Sequence, residues 1–140
     1  MTDLNLTLKK TIPAPPEVVF DAWTTPEHMA RWFSPMTSAS VPKLDLRVGG
    51  EYQVDMHGDG KDHIHTGKYT EVSRPNKLAF TWISEGTGNQ ETLVTLEFAP
   101  EGSGTALTLT HERFADEKAL ENHEKGWTAI LEKLATQLAQ

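Results

Sequence analysis

The 140-residue sequence contains no cysteine. Disulfide bridges, thiolate zinc sites and cysteine nucleophiles are therefore excluded, because each of them requires a cysteine sulfur atom. The side chains left to carry chemistry are those of histidine, aspartate, glutamate, serine and lysine.

The chain also lacks a long apolar run and an excess of positive charge. No window approaches the roughly 18 uninterrupted apolar residues of a membrane span, and the N-terminal segment MTDLNLTLKK has no apolar signal core. The formal net charge is −7 and the basic residues are scattered, so we expect no nucleic-acid partner. The lack of a membrane span and of a signal core predicts a cytoplasmic protein. A chain of this length has room for one hydrophobic core, so we expect a single domain over residues 1–140.

Sequence motifs of catalysis and phosphate binding are missing as well. No serine lies in a G-x-S-x-G elbow, and neither H-E-x-x-H nor a paired-carboxylate motif occurs. The segments Gly86–Gly88 and Gly102–Gly104 do not complete a G-x-G-x-x-G fingerprint and precede predicted strands, so we interpret them as turns. We expect no cofactor, and nucleophilic catalysis has no support in the sequence.

The first part of the chain predicts one strand followed by two short helices. Apolar and polar residues alternate over Leu4–Ile12, with the period of two that is typical of a half-buried strand. Pro16 suits the first turn of a helix, and Thr25 with Pro26 predicts the start of a second helix that ends before Pro35.

The rest of the chain predicts six strands and one long helix. Turn residues separate short alternating runs between Val41 and Phe114. From Asp116 to Leu138, apolar residues recur at helical spacing along a single stripe. The order β-α-α-β(six)-α predicts an α+β fold in which one face of an antiparallel sheet is buried against the terminal helix.

Gly126 interrupts the predicted terminal helix immediately before Trp127. A glycine inside a helix costs about 1 kcal/mol relative to alanine. Three interpretations stay open: close approach of another backbone, room for a ligand, or a tolerated glycine packed against a bulky sheet residue.

Short motifs occur in a consistent order along nearly the whole chain. They are Ile12-Pro13-Ala14-Pro15, Val18–Thr24, Arg31–Pro35, Gly49–Tyr52, Gly67–Val72, Arg74–Trp82, Gly104–Phe114 and Gly126-Trp127. In this order they resemble the activator of heat-shock protein 90 ATPase homologue-like family. That family is part of the START/SRPBCC superfamily, which shares the helix-grip fold of the birch-pollen allergen.

This resemblance implies a curved antiparallel sheet wrapped around the long C-terminal helix, with a largely apolar internal cavity between them. Members of the superfamily bind lipids, polyketides, hormones or enediyne toxins, and some are cyclases or aromatases. The namesake of the family stimulates a chaperone ATPase. No set of catalytic residues is shared across these members, so the resemblance assigns no catalytic residue to this chain.

Strand alternation within such a fold predicts which side chains face the cavity. We expect the ligand site among twelve residues, most of which also form the core. They are Trp32, Phe33, Tyr52, Val54, Met56, Phe80, Trp82, Val94, Leu109, His111, Trp127 and Leu131. The principal hypothesis is a protein that binds a small hydrophobic or aromatic molecule or a lipid, with the aromatic rings stacking on it and His111 orienting a polar group.

Two alternatives stay open. One is an enzyme of the cyclase or dehydratase kind that uses His111 or Glu71 as acid and base. The other is an interaction module like the chaperone activator, which works through its outer surface. The sequence also leaves open whether the chain forms a homodimer and whether it has a chaperone partner.

The segment 55–69 contains three histidines among glycines and aspartates. His63 and His65 share one face of a predicted strand, while alternation predicts that His57 faces solvent. Neighbouring imidazoles suit zinc, nickel or copper, but no thiolate assists and the aspartates lie in a glycine-rich turn. We therefore favour an exposed polar hairpin over a metal site. Ile64 and Tyr69 are an odd number of residues apart, so a regular strand places their side chains on opposite faces. We therefore expect a bulge or a change of facing between them.

Overall fold

The computed structural model describes residues 4–35, 38–58 and 60–139, so that the predicted hairpin-tip residue Asp59 lies outside the described part. A strand and two helices come first: β1 (Leu6–Ile12), α1 (Pro16–Thr24) and α2 (Pro26–Trp32). Six strands follow: β2 (Ser38–Leu44), β3 (Glu51–Gly58), β4 (Lys61–Ser73), β5 (Lys77–Trp82), β6 (Thr92–Glu101) and β7 (Gly104–Glu112). A short 3₁₀ turn (Glu85–Thr87) precedes β6, and α3 (Glu117–Leu138) closes the chain. The predicted element order is confirmed.

All seven strands form one antiparallel sheet in the order β1-β7-β6-β5-β4-β3-β2. The sheet curves around α3, whose buried side chains are Trp127, Ile130, Leu131 and Leu134. This arrangement is the predicted α+β helix-grip fold. Among the described residues, no helix has the length and the apolar character needed to cross a membrane.

Local signals place the helices as predicted. Pro16 and Pro26 occupy the first turns of α1 and α2, where the missing N–H is not needed. Asp116 caps α3, because its side chain accepts a hydrogen bond of 2.8 Å from the backbone N–H of Ala119.

A chain of aromatic side chains links the helices to the centre of the sheet. The ring of Trp23 lies 4.7 Å from that of Trp32, and Phe33 stacks on Trp82 at 6.0 Å. Trp82 in turn lies 5.0 Å from Trp127 of α3. All five rings are buried, and burying one such side chain contributes roughly 1.5–3 kcal/mol. These contacts fix the position of α3 over the sheet.

The facing of β4 decides where the hairpin histidines point. The pairing of β3 with β4 is continuous from Glu51 opposite Lys68 to Gly58 opposite Lys61, so no bulge lies between Ile64 and Tyr69. Ile64 is 54% exposed and Tyr69 is buried, so the two side chains lie on opposite faces of a regular strand, as their spacing requires. The irregularity comes later, between Tyr69 and Glu71, in the pairing of β4 with β5.

Candidate functional site

A cavity of about 370 Å³ lies where the β3–β4 hairpin, the 3₁₀ turn and α3 meet. Its apolar wall includes Met56, Trp82, Trp127 and Ile130. Its polar wall includes His63, His65, Ser84, Asn89, Asn122 and His123. The exposed side chains of Lys61, Asp62 and Glu85 form the rim.

The two tryptophans of the cavity present flat aromatic surfaces. Trp82 is 2% exposed and its ring also lies 4.6 Å from that of His65. Trp127 is equally buried, and the two indole rings are 5.0 Å apart. Such rings favour stacked or edge-on contacts with another planar ring.

Gly126 lies in the wall formed by α3. Within the described part of the chain, a Cβ atom added at this position would meet only Cγ of Pro35, at 4.0 Å. Close approach of another backbone therefore does not explain this glycine, and of the three interpretations the structure favours room in the cavity. Among the described residues, no close contact at this position offsets the cost of about 1 kcal/mol in helix stability.

The predicted site residues divide into two groups. Three of the twelve, Met56, Trp82 and Trp127, line this cavity. The other nine are buried in the core and do not line it: Trp32, Phe33, Tyr52, Val54, Phe80, Val94, Leu109, His111 and Leu131. Four of these nine, Phe33, Tyr52, Val54 and Phe80, border a separate space of about 10 Å³, which has room for about one water molecule.

His111 is fully buried and both of its ring nitrogens have protein partners. The indole Nε1–H of Trp127 donates to His111 Nδ1 at 3.0 Å, so Nε2 carries the ring hydrogen and donates it to Thr92 Oγ1 at 2.7 Å. The Thr92 hydroxyl donates onward to the carbonyl of Trp82 at 2.6 Å. Burial, with a smaller effect of His123, lowers the pKa of His111 to about 2. His111 is thus a neutral residue that positions Trp127.

Glu71, the other predicted acid or base, lies outside the cavity. It follows the bulge in β4 and pairs with Lys77, with 3.5 Å between Oε1 and Nζ. Its side chain is 43% exposed.

The three hairpin histidines face two ways. His57 is on the outer face, where Nδ1 bonds Asp62 at 2.7 Å and Nε2 bonds Ser40 at 2.6 Å. His63 and His65 line the cavity, so the predicted exposed polar hairpin describes only the outer face. Over the described residues, no group of three histidine or acidic side chains is placed to hold a metal ion.

His65 is neutral near physiological pH. Burial lowers its pKa to about 4, although the carbonyls of Val54 and His63 oppose the shift. Its Nδ1 is buried and makes no hydrogen bond within the described part of the chain. The cavity wall is therefore polar without carrying positive charge at this position.

His123 is a cavity residue that the sequence reasoning missed. It precedes Trp127 by one helical turn, and its Nδ1 donates to the carbonyl of Ala119 at 2.8 Å. Its ring packs 5.0 Å from His111 and 5.1 Å from Phe114. Burial lowers the pKa of His123, and the bond to Ala119 opposes that effect. The signal available in the sequence was its place on the same helical stripe as Gly126, Trp127 and Ile130.

The 3₁₀ turn that closes the cavity is held at both ends. Ser84 and Thr87 form a reciprocal capping box, and Lys61 Nζ pairs with Glu85 Oε1 at 3.1 Å. Gly88 and Asn89 then adopt positive φ angles of 66° and 60°, which reverse the chain toward β6.

Comparisons with solved structures agree with this fold. The protein CV1439 from Chromobacterium violaceum is 28% identical, with 97% of each chain covered and a TM-score of 0.89. The AHSA1 protein SPO3351 from Silicibacter pomeroyi is also 28% identical, covering 96% of this chain and 97% of that one, with a TM-score of 0.80. CalU16 from Micromonospora echinospora is 27% identical over 94% of this chain and 74% of that one, with a TM-score of 0.72.

A search of curated proteins found no match to this chain. The family model described as "Activator of Hsp90 ATPase homolog 1-like protein" matches residues 13–139. That match spans nearly the whole sequence, including both helices of the N-terminal part, all six later strands and α3. The chain therefore belongs to the Activator of Hsp90 ATPase homolog 1-like family.

Proposed function

We propose that this protein binds a small apolar or aromatic molecule in the cavity between the β3–β4 hairpin, the 3₁₀ turn and α3. The observation that carries the proposal is Gly126. This residue weakens α3, yet its missing side chain relieves no clash with any described residue and instead leaves room in the cavity beside Trp127.

The size and the lining of the cavity support the same proposal. About 370 Å³ is at the lower end of the roughly 300–1,000 Å³ of ligand pockets, which favours a molecule of one or two rings over a long-chain lipid. The wall contains the aromatic rings of Trp82 and Trp127, and polar side chains lie opposite them, so both the apolar surface and the orienting polar groups of a ligand pocket are present. The family and the fold, which belong to a superfamily with many ligand-binding members, agree with it.

The acid–base alternative finds little support in the two residues that motivated it. His111 has both nitrogens occupied by Thr92 and Trp127, so neither is available to a substrate. Glu71 follows the bulge in β4, pairs with Lys77 and does not line the cavity. The chaperone-activator alternative rests on the family description.

The proposal is tested by filling the cavity from the helix side. Gly126→Leu adds an apolar side chain within it, and Lys125→Leu adds the same side chain on the exposed face of the same helix. We expect 2-naphthol to bind the wild type and Lys125→Leu alike, and to bind Gly126→Leu at least about tenfold more weakly by isothermal titration calorimetry. Equal affinity for all three proteins, or no binding to the wild type, would contradict the proposal.

A further inference from the structure

The neutral ring of His123, in the cavity wall, has its hydrogen on a defined nitrogen. The carbonyl of Ala119 can only accept a hydrogen bond, so the Nδ1 of His123 that bonds it at 2.8 Å carries the ring hydrogen. In the neutral ring, Nε2 then holds a lone pair and acts as an acceptor. Across the described residues, no side chain or backbone group donates to this Nε2 atom.

The ring of His123 is held in place around that atom. His111 and Phe114 pack against it, at 5.0 and 5.1 Å between ring centroids. Gly86, another cavity residue, lies next to its outer edge: a Cβ atom there would be 3.3 Å from Cε1 and 3.7 Å from Nε2. The absence of that Cβ leaves Nε2 beside the cavity.

The surroundings of His123 favour a neutral donor over a charged partner. The two neighbouring histidines, half-buried His65 and buried His111, are neutral, and no carboxylate within the described part of the chain bonds the ring of His123. Transfer of a carboxylate into such a wall carries a desolvation cost, and the lysine at the rim of the cavity, Lys61, already pairs with Glu85 at 3.1 Å. A hydroxyl group has no such cost, because it donates one hydrogen bond without bringing charge.

His123 and Trp127 are four residues apart on α3, so their side chains are neighbours on one helix face. A planar ring on Trp127 and Trp82 therefore lies within reach of the His123 acceptor. A hydroxyl on an aromatic ring is a stronger donor than an aliphatic alcohol, because it is more acidic.

We infer that the ligand of this cavity is an aromatic hydroxyl compound, whose ring stacks on Trp127 and Trp82 and whose O–H donates to Nε2 of His123. The inference rests on the proposed function and adds to it the chemical class of the ligand and the residue that recognises it.

The test compares 2-naphthol with 2-methylnaphthalene, in which a methyl group of similar size replaces the hydroxyl. The measured quantity is the ratio of the two dissociation constants, because the methyl compound gains affinity from its greater apolar surface in every variant. His123→Phe removes the acceptor and keeps a planar ring. His57→Phe makes the same change on the outer face of the hairpin, where His57 bonds Asp62 and Ser40.

We expect the preference for 2-naphthol, relative to the methyl compound, to be roughly 3- to 10-fold larger in the wild type than in His123→Phe. The ratio for His57→Phe should equal that of the wild type. A ratio that is the same in the wild type and in His123→Phe, with both compounds bound, would overturn this inference and leave the proposed function standing. Failure of both compounds to bind the wild type would overturn both.

A second measurement needs no variant. The Nε2 resonance of His123 in a long-range proton–nitrogen spectrum should move when 2-naphthol is added, because its lone pair then accepts a hydrogen bond. It should move much less with 2-methylnaphthalene. Equal shifts with the two compounds would count against the assignment of His123 as the acceptor.

Discussion

The indole Nε1–H of Trp127 donates a hydrogen bond of 3.0 Å to Nδ1 of His111. This bond joins the middle of α3 to β7 and holds the tryptophan ring that forms part of the cavity wall. Because Thr92 occupies the other nitrogen of His111, the histidine orients the site without contacting its contents. The role that the sequence suggested for His111, that of a polar group facing the ligand, is the one that we propose for His123.

The first prediction concerns the stability that His111 provides. His111→Leu leaves the buried N–H of Trp127 without an acceptor, and we expect the free energy of unfolding to fall by about 1–3 kcal/mol. His111→Gln retains an acceptor and a donor on one side chain and should lose less. Urea unfolding of the three proteins measures both effects, and a His111→Leu variant as stable as the wild type would contradict the structural role.

A second prediction is a loss of stability in acid. Both His111 and His65 have folded-state pKa values, about 2 and about 4, below the ordinary 6.5 of the unfolded chain. As the pH falls below 6.5, the unfolded state takes up protons that the folded state does not, so the stability present above that pH is progressively lost. Each histidine should contribute a slope of about 1.4 kcal/mol per pH unit between its two pKa values.

The control for this pH dependence is His111→Gln, which cannot titrate. Between about pH 6 and 4, its unfolding free energy should decline less steeply than that of the wild type, and the difference should be the slope of one histidine, about 1.4 kcal/mol per pH unit. Parallel curves for the two proteins would show that His111 is protonated as readily in the folded chain as in the unfolded chain.

A third prediction separates stability from binding at Gly126. Gly126→Ala should raise the free energy of unfolding by about 1 kcal/mol, because alanine is the better helix former and, among the described residues, the new Cβ meets only Pro35 at 4.0 Å. The same variant should bind 2-naphthol more weakly, since the methyl group occupies part of the cavity. Thermal unfolding and calorimetry on one preparation give both numbers, and a destabilised variant would show that the packing here is tighter than the structure has it.

A fourth prediction addresses the acid–base alternative at Glu71. Glu71→Gln should bind 2-naphthol with the affinity of the wild type, because the side chain is 43% exposed and pairs with Lys77 away from the cavity. Calorimetric titration of the two proteins is sufficient. A marked loss of affinity would place Glu71 in the ligand site and would support the enzyme hypothesis.

Much of the fold follows from the pattern of the sequence. Alternation in Tyr52, Val54 and Met56 predicts a strand with one buried face, and all three side chains are buried in β3. Proline at the start of both short helices and the apolar stripe of α3 are equally direct signals. Each of these signals lies within one segment of the sequence, so the element it predicts does not depend on the rest of the fold.

The position of the cavity could not be read in the same way. Alternation says that Val54 and Val94 face inward, but an inward side chain becomes either core or cavity wall depending on how much volume the elements leave unfilled. The space opens between the β3–β4 hairpin, α3 and the 3₁₀ turn, where Gly126 of α3 and Gly86 of the turn carry no side chains. That outcome depends on the placement of α3 and the 3₁₀ turn, which no single segment encodes.

The measurement that tests the ligand-binding proposal most directly is a nuclear magnetic resonance titration of the four tryptophan indole N–H signals with 2-naphthol. The account predicts saturable shifts for Trp82 and Trp127, which line the cavity, and little change for Trp23 and Trp32, which are buried among α1 and α2. Unchanged spectra, or shifts largest at Trp23 and Trp32, would contradict the proposal that this cavity is the binding site.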